Sequence, residues 1–168
     1  MVNRLLERVP DAWVSVSATT RAPRAGEEDG VHYYFLDDQR FDDLVAENGF
    51  LEWADVHGKR YGTPKQTVVD HMNSGWQVIL EIDVQGAFQV RNIIPEAVLV
   101  FIEPPSLQEL RNRLVGRGTE DEESVERRMK TAELELAQKD KYDKRLVNDD
   151  LEAATEELVA FINECAEK

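Results

Sequence analysis

The sequence predicts an α/β fold: a three-layer arrangement with a parallel β-sheet between helices, and a smaller mixed-β subdomain inserted into it. Two apolar runs, 76–83 and 97–102, have the nearly continuous hydrophobic character that is typical of buried parallel strands. Each run is followed by a segment with helix signals, and strands that alternate with helices favour a parallel sheet. Residues 31–61 interrupt this order with strands that alternate between apolar and polar positions, which indicates the inserted subdomain.

The N-terminal half is predicted to contain three helices and three short strands. In chain order these are a helix at 2–9, strands at 13–17 and 31–36, a helix at 41–48, a strand at 50–58 and a helix that ends near Ser74. The last helix has the clearest start signal. Thr63 is a natural N-cap residue, and Pro64 suits the first helical position.

The C-terminal half alternates strands with helices, and polar residues mark where the helices begin. The predicted order is a strand at 76–83, a helix at 85–93, a strand at 97–102, a helix after Ser106, a helix at about 121–139, a strand at 144–148 and a terminal helix. Ser106 with Glu109 and Thr119 with Glu122 have the spacing of capping boxes. Asp149 or Asp150 is expected to cap the terminal helix.

The composition restricts the function classes. The chain has 168 residues, of which 42% are hydrophobic and 32% charged, so it is long enough for one domain with a substantial core. Its formal net charge of −14 argues against nucleic-acid or membrane-surface partners, because both require a basic face. No apolar run approaches the ~18 residues of a membrane span, and no signal-peptide pattern opens the chain, so we expect a cytoplasmic protein.

A small basic cluster occurs in this acidic chain. In SVSATTRAPRAGEEDGVHYYF, Arg21 and Arg24 lie three residues apart in a turn marked by glycine and proline, and Tyr33 and Tyr61 lie at the ends of nearby strands. Guanidinium groups bind phosphate oxygens in bidentate fashion, and tyrosine hydroxyls add neutral donors. The cluster therefore indicates a phosphate-binding site. The alternative is two solvated arginines of a surface loop.

Three acidic residues lie in or at the ends of apolar strands. Glu81 and Asp83 end the run at 76–83, and the carboxyl edge of an open parallel sheet is where ligands and their magnesium bind. A role as helix N-cap explains one of these two acids equally well. Glu52 lies in the apolar strand FLEWAD, where a half-buried acid needs a partner. The N1–H and exocyclic amine of a guanine ring are suitable donors for it.

Four arginines flank a glycine-rich break between two predicted helices, namely Arg113, Arg117, Arg127 and Arg128. Arg117 lies between two glycines, which is typical of a hinge. Arg127 by itself is more simply a solvated helical arginine. A hinged arginine pair that faces an acidic strand end fits a lid that closes over a transferring phosphoryl group and neutralises its charge.

Taken in this order, the segments resemble guanylate kinase, the enzyme family that phosphorylates GMP with ATP. The resemblance covers essentially the whole chain and includes FLEWADVHGKRYGTP, LEIDVQGA, FIEPPS, LRNRLVGRGTEDEESVERRM and LVNDDL. It implies a GMP phosphate site made of Arg21, Arg24, Tyr33 and Tyr61, and a guanosine site made of Ser17, Glu52, Thr63 and Asp83. It also implies catalytic roles for Arg113, Arg117 and Arg128, and ATP contacts from Arg117, Asn148 and Glu81.

The same resemblance implies a division of the chain, its cofactors and its partners. An α/β core would comprise 1–30 and 62–168, with a lid at about 111–130, and 31–61 would be the GMP-binding subdomain. ATP and Mg²⁺ would be the cofactors, with Glu81 reaching the metal through water. GMP and ATP would be the small-molecule ligands, and the chain would be a monomer or a homodimer without nucleic-acid or membrane partners.

One part of the family pattern is absent from the sequence. Guanylate kinases begin with a strand and a phosphate loop of the form G-x-x-x-x-G-K-[ST], which binds the ATP phosphates, and these 168 residues do not contain it. We expect a truncated guanylate kinase with impaired turnover. One alternative is a catalytically dead domain that binds GMP or a phosphorylated partner, which predicts loss of the ATP-side residues that are in fact present. The other is a chain whose phosphate loop comes from another molecule.

Overall fold

The computed structural model describes residues 1–56, 58–116 and 121–166. The helices are α1 (Val2–Leu6), α2 (Asp38–Ala46), α3 (Lys65–Asn73), α4 (Val84–Ile93), α5 (Leu107–Gly116), α6 (Glu122–Leu136) and α7 (Leu151–Ala166), with a 3₁₀ helix at Lys139–Lys141. The strands are β1 (Ala12–Val14), β2 (Ala18–Thr19), β3 (Tyr34–Phe35), β4 (Phe50–Val56), β5 (Lys59–Pro64), β6 (Gln77–Ile79), β7 (Val100–Glu103) and β8 (Lys144–Val147). Across the described ranges, no helix is both long and apolar enough to cross a membrane.

The chain divides into two compact units. The central unit is Val9–Ala97, and the terminal unit combines Met1–Arg8 with Val98–Lys168. This division follows the packing of the folded chain. The predicted division into a core and a GMP-binding subdomain at 31–61 is a functional one and stays a prediction.

The central unit contains a parallel strand pair and a four-stranded mixed sheet. Strands β1 and β6 are parallel, and the mixed sheet has the order β3-β2-β5-β4, in which β4 and β5 are antiparallel. Phe41 of α2 is fully buried against Phe50 and Ala18 of this sheet. A second cluster joins Leu51 of β4 to Val90 of α4, so helix α4 packs on the strand that carries Glu52.

The terminal unit is built on the parallel pair β7 and β8, in which Val100 lies opposite Lys144. Helices α5 and α6 pack together through a buried cluster that includes Leu114 and Val125. Strands and helices alternate in both units, and three of the strand pairs in the described ranges are parallel, β1 with β6, β2 with β3 and β7 with β8. The predicted α/β class is therefore confirmed.

Several predicted element bounds were wrong. The strand expected at 31–36 is only Tyr34–Phe35, and the first helix ends at Leu6. Helix α2 begins earlier than expected, because the side chain of Asp37 accepts a hydrogen bond from the backbone N–H of Arg40 at 2.7 Å and so caps it.

The cap predictions had mixed outcomes. Ser106 accepts from the N–H of Glu109 at 3.1 Å, and Asp150, not Asp149, caps α7. The cap of α6 is Asp121, which accepts from the N–H of Ser124 at 2.8 Å; the predicted cap Thr119 lies outside the described residues.

The prediction that Thr63 is an N-cap was wrong. Thr63 is the penultimate residue of β5, and α3 begins after Pro64 without a side-chain cap. The reason is that its hydroxyl has another partner. It donates to the carboxylate of Glu52, which lies directly opposite on β4.

Candidate functional site

A pocket in the central unit collects most of the predicted GMP residues. Among its lining residues are Ser17, Tyr33, Glu52, Tyr61, Glu81 and Asp83. They come from β4 and β5 and from the segments that precede β2, β3 and α4. The lining combines acidic and phenolic side chains, so the pocket offers both hydrogen-bond acceptors and hydrogen-bond donors to a ligand.

Glu52 is the most constrained group of this pocket. Only 5% of the residue is exposed, and the hydroxyl of Thr63 donates to its Oε1 at 2.5 Å. Burial raises the pKa of Glu52, and the nearby charge of Asp83 raises it further, while the Thr63 hydrogen bond acts in the opposite direction. Because Thr63 donates to only one oxygen of this buried carboxylate, the group can accept further hydrogen bonds from a ligand.

The two acids after β6 have different local roles. Asp83 caps α4, because its Oδ1 accepts from the N–H of Gly86 at 2.9 Å, which is the cap role considered for one of the pair. Glu81 is exposed and has no part in that cap. Both acids line the pocket, so Asp83 combines a structural role with a position next to Glu52.

Arg21 is held by a residue that the sequence analysis did not select. Its two terminal nitrogens donate to the two carboxylate oxygens of Glu27, both at 2.9 Å, and the side chains are 14% and 16% exposed. The guanidinium lies over the Tyr33 ring at 5.3 Å, and the rings of Tyr33 and Tyr61 meet edge to face. Three of the four predicted phosphate residues are therefore neighbours.

The turn that carries the arginines explains this arrangement. The N–H of Glu27 donates to the carbonyl of Arg24 at 3.0 Å, and Gly26, the third residue of the turn, has a φ of 85° that favours glycine. The turn directs the Glu27 carboxylate back to the N–H of Arg24, 2.7 Å away, while the side chain of Arg24 is exposed. The sequence does contain a signal for this ion pair, since Glu27 lies three residues after Arg24 and directly after Gly26.

The Glu27 contact is expected to make the stability of the fold dependent on pH. The hydrogen bond from Arg21, followed by that from the backbone of Arg24, lowers the pKa of Glu27 from 4.5 to about 2. Because the folded pKa lies below the unfolded one, the contribution is complete above about pH 5 and is lost as the pH falls toward 2. We expect Glu27→Gln to lower the free energy of unfolding in urea near neutral pH, and the difference from wild type to shrink on acidification. Glu28→Gln, at the exposed neighbour, is the control, and a difference independent of pH would contradict the ion pair.

The terminal unit has its own pocket, which contains one predicted catalytic residue, Arg113, and one predicted ATP contact, Asn148. Arg113 and Asn148 both line it, together with Glu103 and Leu110 among others. The guanidinium of Arg113 donates to Oε1 of Glu109 at 2.9 Å and to the backbone carbonyl of Asn148 at 3.0 Å. The structure thus brings Arg113 and Asn148 together, although they are far apart in the sequence.

The remaining predicted residues are Arg117 and Arg128, which were assigned to the predicted lid. Arg128 is half-buried on α6, and Arg117 lies outside the described residues. Within the described ranges, no three His, Cys, Asp or Glu side chains form a cluster that could hold a metal ion by themselves.

The described α/β scaffold has an acidic, phenol-lined pocket in one unit and an arginine–asparagine pocket in the other. Comparison with known proteins places it among the nucleotide phosphotransferases, in the nucleoside monophosphate kinase class. The guanylate kinase family model matches residues 1–165. The chain is 51% identical to a guanylate kinase of Synechococcus sp. (strain CC9311), over 97% of this chain and 86% of that one. It is 52% identical to a guanylate kinase of Thermobifida fusca, over 96% and 83%. The crystal structure of guanylate kinase from Anaplasma phagocytophilum matches with a TM-score of 0.85 at 35% identity, covering 99% of this chain and 80% of that one.

The chain belongs to the guanylate kinase family. Its activity is that of a nucleoside monophosphate kinase, the phosphorylation of GMP with ATP as phosphate donor, and the catalytically dead alternative is not favoured. The resemblance found in the sequence is confirmed. The comparisons show the family but assign no role to an individual residue.

Proposed function

We propose that the pocket of the central unit is the acceptor site for GMP. The observation that carries this proposal is Glu52, a buried carboxylate that lines the pocket and has one oxygen bonded to the hydroxyl of Thr63. Guanine presents two adjacent donors, N1–H and the exocyclic amine, which match such a carboxylate. Asp83 and the hydroxyl of Ser17 line the same pocket and would contact the rest of the nucleoside.

The phosphate of GMP would be bound by Arg21, Arg24, Tyr33 and Tyr61. Glu27 accepts from both terminal nitrogens of Arg21, and the carbonyl of Ala22 accepts from one of them. The guanidinium edge that carries Nε would contact the phosphate oxygens together with the hydroxyl of Tyr61, which also interacts with Arg21. The position of the guanidinium 5.3 Å from the centre of the Tyr33 ring supports this assignment, because it places Arg21 beside another predicted phosphate ligand. The exposed side chain of Arg24 would add a second positive charge.

The pocket of the terminal unit would contact the donor nucleotide. Asn148 would lie beside the adenine of ATP, with Arg113 fixed against its backbone. Mg²⁺ would enter with the ATP phosphates, and Glu81 would hold one of its water molecules, since Mg²⁺ keeps several waters and uses few carboxylates. When bound, the metal supplies neutralisation of the phosphate charge.

The reaction requires no protein nucleophile. A phosphate oxygen of GMP forms a bond to the γ-phosphorus of ATP while the bond to the leaving ADP oxygen breaks, and catalysis consists of positioning and charge stabilisation. Arg21 and Arg24 would position the attacking phosphate. Arg113, Arg117 and Arg128 would neutralise the transferring group from the lid at about 111–130.

The division into a core, 1–30 and 62–168, and a GMP-binding subdomain, 31–61, is part of the same proposal. The mixed sheet supports it, because β4 and β5 present Glu52 and Tyr61 to the pocket. We also propose a cytoplasmic monomer or homodimer without nucleic-acid or membrane partners. The net charge of −14 supports the absence of both partners.

Calorimetric titration of the full chain with GMP, and with AMP as the control, tests the acceptor site. We expect saturable binding of GMP and at least about tenfold weaker binding of AMP, because adenine has no N1–H and no 2-amine to offer to Glu52. Circular dichroism of the same sample verifies that it is folded. Equal binding of both nucleotides by a folded sample would contradict the assignment of Glu52 to guanine.

A further inference from the structure

Gly86, the third residue of α4, has no conformational reason to be glycine. It lies inside a regular helix that begins at Val84 after the Asp83 cap, and its φ is not positive. Any L-residue fits such a backbone, and alanine is a stronger helix former than glycine. The reason for a glycine must lie in the space around its Cα atom.

That space is occupied by the two carboxylates assigned to guanine recognition. A Cβ atom on Gly86 would lie 2.4 Å from Oε2 and 3.0 Å from Cδ of Glu52, and 3.2 Å from Oδ1 of Asp83. Non-bonded heavy atoms prefer separations of about 3.5–4.0 Å, so a methyl group and the present carboxylate cannot both occupy this position.

The helix cannot simply move away from the strand. Gln89, three residues after Gly86, accepts from the N–H of Trp53 at 3.2 Å and donates to the carbonyl of Trp53 at 2.8 Å. Trp53 is the neighbour of Glu52 on β4, so this pair of hydrogen bonds fixes α4 at the level of the pocket. The adjustment to a larger residue would therefore fall on the side chain of Glu52.

We propose that Gly86 is a positioning residue for guanine specificity, because its missing side chain allows the Glu52 carboxylate to lie against the first turn of α4, facing the base. This inference rests on the proposed GMP site. Thr63 holds one oxygen of Glu52, and Gly86 provides the room for the other. Together they leave the carboxylate a single orientation.

The test compares Gly86→Ala with wild type by calorimetric titration with GMP and with IMP, which lacks the exocyclic amine. We expect the affinity for GMP to fall at least about tenfold, the loss typical of one hydrogen bond to a charged group. The affinity for IMP should fall less, so the ratio of the GMP affinity to the IMP affinity should decrease. The thermal midpoint should stay within a few degrees of wild type, because the clash involves the end of a side chain and alanine favours the helix.

Two further variants make the test specific. Asn92→Ala, at an exposed position of the same helix, is expected to leave both affinities unchanged. Glu52→Asp withdraws the carboxylate by one methylene, so adding Gly86→Ala to it should cost less GMP affinity than adding it to wild type. An unchanged preference for GMP in Gly86→Ala, or an equal loss for GMP and IMP, would overturn the inference while the GMP site stands. Failure of wild type to bind GMP would overturn the proposed function itself.

Discussion

Replacing Glu52 with glutamine is expected to weaken GMP binding by about ten- to a hundredfold while the fold stays intact. The loss corresponds to one charged hydrogen bond, since an amide has only one oxygen and cannot accept both guanine protons. Burial and Asp83 raise the pKa of Glu52, so the ionised form destabilises the ligand-free protein near neutral pH. We therefore expect the free energy of unfolding of Glu52→Gln in urea to equal or exceed that of wild type.

The pH dependence of binding separates this effect from a change in shape. In wild type, GMP affinity should fall as the pH is lowered through the raised pKa of Glu52, because the protonated acid loses its charge and one acceptor. Glu52→Gln should lack this component, while the titration of the GMP phosphate contributes equally to both proteins. Glu47→Gln, at an exposed position after α2, is the matched control. Unchanged GMP affinity in Glu52→Gln would remove Glu52 from the site.

Replacing Arg21 with lysine is expected to reduce GMP affinity by roughly a hundredfold, the loss of about two charge-assisted hydrogen bonds. Lysine keeps the positive charge but cannot bind Glu27 and a phosphate with separate edges of one planar group. The guanidinium also lies over the rings of Tyr33 and Phe35, at 5.3 and 5.8 Å, and the shape of an ammonium group differs from that of the planar guanidinium in these contacts.

Guanosine, which has the base and ribose but no phosphate, identifies the origin of this loss. Calorimetry should show that Arg21→Lys binds guanosine as wild type does, so that only the contribution of the phosphate disappears. Arg40→Lys, at an exposed arginine of α2, is the control for a general change of charge geometry. Equal losses for GMP and guanosine would show that Arg21 supports the pocket as a whole and does not bind the phosphate.

Hydrophobic pattern predicted the order of elements better than their ends. The apolar run at 76–83 contains β6, yet the strand is only Gln77–Ile79. The run at 97–102 overlaps β7, which begins three residues later and ends one residue beyond it, at Val100–Glu103. An apolar run reports which residues are buried, whereas a strand ends where its neighbour stops offering backbone hydrogen bonds. Strand ends therefore depend on the register of the partner strand, which a single segment does not contain.

The local sequence also does not determine which partner a single polar side chain binds. Thr63 followed by Pro64 has every local feature of a helix start. In the structure Thr63 lies in β5, and its hydroxyl donates a hydrogen bond to Glu52. Asp83 was open to two interpretations, and the structure gives it both a cap and a place in the pocket. A threonine or aspartate has several acceptable local partners, and packing selects among them.

The sequence by itself determined the α/β class, the family and the residue types of a nucleotide site, because periodicity and ordered segments are local properties of the chain. Tertiary structure alone decided the partners: Glu27 for Arg21, Thr63 for Glu52, and the empty space at Gly86 that the Glu52 carboxylate fills. Such pairings depend on distances of a few ångströms between side chains of different turns, strands and helices. Turn geometry, strand register and the seating of α4 on β4 fix those distances, and they exist only once the chain has folded.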